Sequence, residues 1–166
     1  MLQIVRKLED IPFSDLMAVY EESNRENGAC RYPTKDKSLQ LIEAEQDFYA
    51  YLHAFFQQEN SYYALWRQDG GLVSAVRVEP YQDGWLVAGL ETRPDARRKG
   101  SAKDLLQALL AQMDLLPVYS HIAKSNIPSQ NVHLTVGFRK MLTYSVYADG
   151  TIDDICETYC YSKTAL

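Results

Sequence analysis

The clearest pattern of apolar positions along the chain lies between residues 101 and 113. Apolar residues recur there at spacings of three, four, seven, eight and eleven, which is the period of one helix face. They are Ala102, Leu105, Leu106, Leu109, Leu110 and Met113. We therefore predict an amphipathic helix that buries this face. Weaker patterns of the same period predict helices over residues 12–28 and 35–58, and residues 128–136 are typical of a last, short helix.

Three Asp-Gly dipeptides, at residues 69–70, 83–84 and 149–150, lie between runs rich in β-branched and aromatic residues. This arrangement is the strongest short-range indication of a β-hairpin. The first two dipeptides predict an antiparallel meander of three strands. The third predicts a hairpin near the C-terminus that joins residues 140–148 to residues 152–162. Two further strands are predicted over residues 3–7 and 116–123.

In chain order the predicted elements are β-α-α-β-β-β-α-β-α-β-β. A chain of 166 residues is long enough to bury one core, so we predict a single domain over residues 1–166. Its fold class is α/β (α+β), with a mixed, mostly antiparallel central sheet flanked by helices. The strands on either side of the leucine-rich helix provide one β-α-β crossover.

The composition restricts the cellular compartments and the binding partners that are expected for the protein. No apolar run approaches the roughly 18 residues that a membrane span requires, so no membrane partner is expected. The first residues lack the apolar stretch of a signal peptide, which predicts a cytoplasmic location. The three cysteines, Cys30, Cys156 and Cys160, agree with a reducing compartment. No Cys/His spacing resembles a zinc site, so no metal is predicted.

Charge is distributed unevenly along the chain. The segment from Arg93 to Lys103 holds five basic residues and one acid, a local charge of +4, whereas the whole chain carries −5. Gly100 and the small residues Ser101 and Ala102 open the leucine-rich helix. A helix N-terminus presents unpaired N–H groups that suit a phosphate, and glycine lets the backbone approach it closely. The segment therefore indicates an anion site, with a solvated basic turn as the alternative.

Two segments carry a resemblance to a known family. Residues 94–102, PDARRKGSA, resemble the acetyl-CoA loop of the GNAT superfamily of N-acetyltransferases, whose pattern is Arg/Gln-x-x-Gly-x-Gly/Ala. Asn126, followed by a short helix that ends in VHLTVGF at Phe138, resembles the family's Asn…Ala…Tyr…Gly-Phe segment. The predicted order of elements matches the GNAT fold over essentially the whole chain.

The resemblance implies that acetyl-CoA is a co-substrate and indicates where each part of it lies. The strands predicted over residues 85–93 and 116–123 would splay apart and admit the pantetheine arm. The pyrophosphate would rest on backbone N–H groups of residues 97–102. The residues expected to bind the cofactor are Leu90, Thr92, Arg97, Arg98, Lys99, Gly100, Ser101, Ala102 and Asn126.

Acetyl transfer to an amine requires a base for the alkylammonium group and an acid for the departing thiolate. We expect Glu91, at the splaying end of its strand, to be the base, with Glu79 as the second candidate. A structural acid paired with a loop arginine is the alternative for Glu91. His133 occupies the family's usual tyrosine position, and Ser129 its alanine position. We expect His133 to be the acid, with a bond to the cofactor or a structural cap as alternatives.

The acceptor pocket should involve the two early helices and their connection, as in the family. Residues 22–33 are polar there, and Arg31 and Tyr32, together with Arg77 from the sheet, are the expected substrate-binding residues. Other polar residues of the segment are Arg25, Glu26 and Asn27. An exposed polar loop is the alternative. The resemblance implies direct attack on the thioester by an amine of a small molecule, with a peptide or protein as the less favoured acceptor.

Two other functions compete with an N-acetyltransferase. The first is a non-catalytic acyl-CoA-binding module, which the histidine in the tyrosine position supports. The second is nucleic-acid binding through the basic segment. We do not expect a nucleic-acid partner, because the rest of the chain carries −9 and no aromatic residues interleave with the cations. The hairpins near the C-terminus could support a homodimer.

Overall fold

The computed structural model of the chain describes residues 1–163. Seven strands form the main sheet: β1 Leu2–Val5, β2 Tyr62–Gln68, β3 Gly71–Tyr81, β4 Gly84–Thr92, β5 Val118–Ala123, β6 Arg139–Leu142 and β9 Cys156–Tyr161. Their order is β1-β2-β3-β4-β5-β9-β6. A separate two-stranded sheet consists of β7 Ser145–Val146 and β8 Ile152–Asp153.

Five α-helices flank the main sheet. They are α1 Phe13–Val19, α2 Glu21–Arg31, α3 Lys37–Phe56, α4 Ser101–Gln112 and α5 Ile127–Thr135. Within the described residues only the β4–β5 pair is parallel, and α4 connects these two strands. The predicted fold class, a mostly antiparallel mixed sheet with one β-α-β crossover, is confirmed. No helix of residues 1–163 is long and apolar enough to span a bilayer.

The two faces of the main sheet hold two separate cores. Alternate residues of a strand point to opposite faces, so Ala64 and Val76 belong to one core while Tyr63 and Ala75 belong to the other. The first core takes the apolar face of α4, as predicted, with Leu105, Leu106, Leu109 and Leu110 all buried. Each buried leucine contributes about 2 kcal/mol to stability. The second core is covered by α1 and α3.

The helix predicted over residues 12–28 is two helices in the structure. Helix α1 ends before Tyr20, whose backbone angles (φ −95°, ψ 13°) leave the helical region. The break coincides with a change of pattern: α1 buries Leu16, Met17 and Val19, whereas α2 is mostly polar. A single straight helix could not bury Leu16, Met17 and Val19 in the core and also present the polar residues of α2 to the cavities described below.

The third predicted hairpin is also divided. The Asp149-Gly150 turn joins only the short strands β7 and β8, while β6 and β9 pair in the main sheet. The division has a local cause. The carboxylate of Asp153 accepts a hydrogen bond from the backbone N–H of Ile155 at 2.7 Å, which turns the chain between β8 and β9.

Strands β4 and β5 pair at one end and separate at the other. Their ladder holds only Trp85 opposite Val118 and Leu86 opposite Tyr119. The predicted splaying of the central strands is therefore confirmed. Strand β4 also carries a bulge against β3, because Gly89 and the following residue both oppose a single residue of β3. Gly89 adopts φ +60°, a left-handed conformation that glycine tolerates.

Candidate active site

A cavity of about 590 Å³ opens where β4 and β5 separate. The end of β4, the loop before α4, the first turn of α4, the first turn of α5 and one side of α2 surround it. Its lining includes Leu90, Glu91, Thr92, Arg97, Arg98, Gly100, Ser101, Ala102 and Asn126. The lining therefore combines a free strand edge with a helix N-terminus.

The start of α4 is suited to an anion. Gly100 precedes the helix at φ +89°, and no side chain caps the N–H groups of the first turn. A Cβ on Gly100 would meet no atom within 4 Å, so the approach to this turn is open. The hydroxyl of Ser101 is buried and has no hydrogen-bond partner among the described residues. Uncapped N–H groups, a partial positive charge and an unused hydroxyl together match a phosphate.

The structure brings eight of the nine predicted cofactor residues to this cavity. Lys99 is the exception, because its Nζ donates to the carbonyl oxygen of Asp95 at 3.0 Å. Arg97 reaches across the cavity, where its Nε donates to the carbonyl oxygen of Thr92 at 3.1 Å and its guanidinium pairs with Glu22. The side-chain oxygen of Asn126 accepts from the N–H of Ser129 and caps α5.

A second cavity, of about 330 Å³, lies between α2, α3 and the bulged part of the sheet. Its lining includes Tyr20, Asn24, Asn27, Arg31, Asp47, Phe48, Tyr51, Arg77, Gly89 and Glu91. Two of the three predicted substrate-binding residues, Arg31 and Arg77, are among them. Tyr32 is not; its hydroxyl donates to Asp47 at 2.7 Å, and Asp47 also pairs with Arg31 at 2.8 Å.

Glu91 lines both cavities and so connects them. Its side chain is 30% exposed, and one carboxylate oxygen lies 4.0 Å from a guanidinium nitrogen of Arg97. Burial raises the pKa of Glu91 to about 7, with Arg97 opposing the shift and Glu22 and Glu26 adding to it. A carboxylate with this pKa exchanges protons readily at neutral pH, which is the property of an efficient general base.

The structure does not bring Glu79 to Glu91. Glu79 lies opposite Leu86, at the closed end of the β4–β5 gap, and outside the described lining of both cavities. Burial raises its pKa and the charge of Arg77 opposes the shift. Of the two predicted bases, only Glu91 lies where two ligands could meet.

The structure does not bring His133 to either cavity. Its side chain is 1% exposed and its ring packs edge-on against Phe138, with the centroids 5.0 Å apart. Its Nδ1 donates to the carbonyl oxygen of Ser129 at 2.8 Å, and burial lowers its pKa. Although Ser129 and Val132 line the first cavity, the ring of His133 turns into the core. A buried ring with one nitrogen already bonded is not placed to act as an acid at the cavity.

Several lining residues were not predicted from the sequence, yet they follow a readable pattern. On α3, four lining residues recur at spacings of three, four and seven: Ala44, Asp47, Phe48 and Tyr51. On α2 and the residue before it, Tyr20, Ser23 and Asn24 were not predicted, and they share one helical stripe with Asn27 and Arg31, which were named from the sequence. Polar and aromatic residues at helical spacing on two neighbouring helices are a signal that could have located this cavity.

Comparison with known proteins agrees with this geometry. A model of the acetyltransferase (GNAT) family matches residues 16–138. The chain has no match among curated proteins. Among solved structures it is similar to the PaiA N-acetyltransferase from Thermoplasma acidophilum in complex with coenzyme A, at 14% identity and a TM-score of 0.65, over 98% of this chain and 99% of that one.

Two other solved structures share the fold. One is the ribosomal-protein-S18-alanine N-acetyltransferase from Escherichia coli, at 16% identity and a TM-score of 0.61, over 100% of this chain and 96% of that one. The other is an acetyltransferase from Thermus thermophilus, also at 16% identity, with a TM-score of 0.66 over 98% and 97% of the two chains. At these identities the likeness establishes the fold.

Proposed function

The chain belongs to the acetyltransferase (GNAT) family, and from this premise we propose that it is an N-acetyltransferase that moves the acetyl group of acetyl-CoA to an amine of a small molecule. The observation that supports this most directly is the position of Glu91, which lines both cavities with a pKa of about 7. In this proposal the first cavity binds the cofactor and the second binds the acceptor.

The residues of the first cavity fit coenzyme A. The uncapped N–H groups of α4 and the hydroxyl of Ser101 would bind the pyrophosphate, and Arg97 and Arg98 add positive charge beside it. The free edge of β4, around Leu90 and Thr92, would bind the pantetheine. The similar structure from T. acidophilum was solved with coenzyme A, which supports the same placement here.

Glu91 would act as the base. An alkylammonium group has an ordinary pKa near 10, so most of the acceptor is protonated at neutral pH and must lose a proton before it can attack. The bound cofactor supplies an activated thioester. The carboxylate of Glu91 would first pass one proton of the alkylammonium group to solvent, which leaves a neutral amine. It would then accept the second proton from nitrogen as the C–N bond forms and the C–S bond breaks. The electron pair of the broken bond leaves on sulfur.

The departing thiolate needs a proton. His133, the acid expected from the sequence, is 1% exposed and outside the described lining of the first cavity, so we propose Glu91 as the source of that proton. A thiol has an ordinary pKa near 8.5. Protonated Glu91, with a pKa of about 7, can therefore return its proton to a thiolate, directly or through water. The same carboxyl group then serves first as base and afterwards as acid.

The remaining expectations about this protein are part of the proposal. We propose that residues 1–166 act as one domain and that the protein works in the cytoplasm, for which the three unpaired cysteines are support. A homodimer remains a prediction. Tyr147, Ile152 and Ile155 are exposed apolar residues on or near the β7–β8 hairpin, which supports it. Light scattering on the purified protein would test it.

The decisive test combines binding and turnover. Calorimetry with coenzyme A should detect binding, and acetyl-CoA with a panel of polyamines, aminoglycosides, amino acids and peptides should release free thiol. Binding without thiol release for any amine would instead support a non-catalytic acyl-CoA-binding module. Absence of binding would contradict both functions.

A further inference from the structure

Arg77 holds a fixed position in the wall of the second cavity. Its guanidinium lies over the ring of Tyr51, with its central carbon 4.8 Å from the ring centroid. It also packs against Gly89, where a Cβ would lie 3.2 Å from both Nε and Nη2. The guanidinium therefore contacts both an aromatic ring and the backbone of the bulged strand.

The described part of the chain offers this cation no close anionic partner. Among residues 1–163, no carboxylate lies within 4.0 Å of the Arg77 guanidinium, and its buried Nε has no hydrogen-bond partner. The charge of Glu79, two residues along the same strand, acts on the Arg77 guanidinium from a distance greater than 4.0 Å. Arg31, in the same cavity, is paired with Asp47. Arg77 is partly buried, and its Nε is buried without a hydrogen-bond partner, which is costly and suggests that a ligand completes the interactions of the guanidinium.

The charges around the cavity favour one kind of ligand. Four charged residues line it, Arg31, Arg77, Asp47 and Glu91. Because Arg31 and Asp47 neutralise each other, one cation and one carboxylate remain available. A zwitterion matches this pair. A phosphate dianion would face the carboxylate of Glu91 with only one free cation, and a simple amine would leave Arg77 unpaired.

Building on the function proposed above, we infer that the acceptor carries a carboxylate as well as its amine, as an amino acid does, and that Arg77 binds the carboxylate while the amine faces Glu91. A guanidinium presents two parallel N–H groups, which match the two oxygens of a carboxylate. Phe48 and Tyr51 provide aromatic surface for an apolar side chain of the acceptor.

Matched pairs of acceptors test this inference. Thiol release from acetyl-CoA is measured with phenylalanine against phenethylamine, and with leucine against 3-methylbutylamine, so that each pair differs only in the carboxylate. The wild-type protein should show a kcat/KM ~10- to 100-fold higher for the amino acid, the range expected of hydrogen bonds to a charged group.

Variants of Arg77 sharpen the same test. Arg77→Met should lower kcat/KM for the amino acid to about the level of the amine while leaving the amine within about threefold, and Arg77→Lys should fall between. Arg25→Met, an exposed arginine outside the described lining of both cavities, is the matched control and should behave as wild type. Calorimetry with coenzyme A should give the same affinity for all variants and also reports whether they fold.

Each outcome has a distinct meaning. If the wild type prefers the amines without a carboxylate, the inference about Arg77 is wrong and the proposed acetyltransferase stands. If Arg77→Met slows both members of a pair equally, Arg77 is structural and the inference is again wrong. If neither the amino acids nor the matched amines are acetylated, the inference is wrong, and thiol release with the wider panel of polyamines, aminoglycosides and peptides decides whether the proposed function fails as well. The comparison of wild-type rates alone decides the matter if the variants do not fold.

Discussion

The two cavities that meet at Glu91 are lined by different kinds of chemical group. The first relies on main-chain groups, namely the uncapped N-terminus of α4 and the unpaired edge of β4. The second relies on side chains that come from α2, α3, β3 and β4. Main-chain groups are the same in every residue, whereas side chains are particular to this chain. Proteins with very different sequences can therefore share the first cavity, whereas the second cavity depends on the particular side chains of this chain.

Replacing Glu91, the residue common to both cavities, should have the largest effect. We expect Glu91→Gln to lower kcat/KM by about 10²- to 10⁴-fold, because a general base contributes that much, with the affinity for coenzyme A unchanged. Steady-state kinetics and calorimetry check the two parts. The exposed Glu21→Gln on α2 is a control that should retain activity. If Glu79→Gln abolishes turnover and Glu91→Gln does not, the base has been misassigned.

The pH profile of the wild type should show the same group. Only the ionised carboxylate accepts a proton, and the pKa of Glu91 is about 7. The kcat/KM should therefore fall as the pH drops below about 7. Glu91→Gln should lack this step and keep only the rise caused by the amine itself at higher pH. A wild-type profile that is flat between pH 6 and 8 would contradict the assignment.

A carboxylate placed in the first cavity should affect the cofactor alone. Ala102 lines the cavity in the first turn of α4. Ala102→Glu should lower the affinity for coenzyme A by ~10- to 100-fold, because it opposes a diphosphate with a negative charge. Stability should not fall, since a carboxylate at a helix N-terminus is favourable. Ala111→Glu, exposed near the other end of the same helix, is the control. Equal affinities for the two variants would place the pyrophosphate elsewhere.

Ionisation of the partly buried Glu91 should lower the free energy of unfolding. Burial raises its pKa from 4.5 to about 7, so between these values the folded protein holds a proton that the unfolded chain has released. The contribution of Glu91 to the free energy of unfolding is therefore fully present below pH 4.5 and is lost as the pH rises through 7. We expect Glu91→Gln to be more stable than wild type at pH 8 by on the order of 2 kcal/mol, and not at pH 4.5. Thermal melts at both pH values measure the difference.

The smallest effect is expected at His133. Its buried ring contacts neither cavity, so His133→Phe should leave turnover and cofactor affinity within about threefold of wild type. Stability should change by about 1 kcal/mol, since the variant loses the bond to Ser129 and also the unpaired Nε2. A tenfold loss of turnover at unchanged affinity would restore His133 as the acid.

The contrast between the cavities also explains what the sequence could predict. The leucine face of α4, the three Asp-Gly turns and the eight predicted cofactor residues that line the first cavity are local in sequence, so their pattern can be read directly. Glu91 could be chosen because it lies near the end of a strand next to the basic loop. Lys99 stays a prediction; its side chain turns back to the carbonyl oxygen of Asp95 and lies outside the described lining of the first cavity.

The parts that escaped prediction depend on contacts between distant segments. Tyr20, where the helix breaks, contacts a distant segment: its hydroxyl donates to the carbonyl oxygen of Gly89, 69 residues away, at 2.6 Å. Asp47 and Tyr51 line the second cavity only because α3 packs beside α2 and on the sheet. The ring of His133 turned towards Phe138, and sequence position alone does not give a rotamer.

The short pairing between β4 and β5 has a practical consequence. Strand edges without a neighbour are templates on which another chain can add, which leads to aggregation. A ligand in the gap would cover these edges, and at 100 times its dissociation constant it would add about 2.7 kcal/mol to the stability of the folded state. Coenzyme A in the purification and storage buffers should therefore improve yield and keep the sample monodisperse.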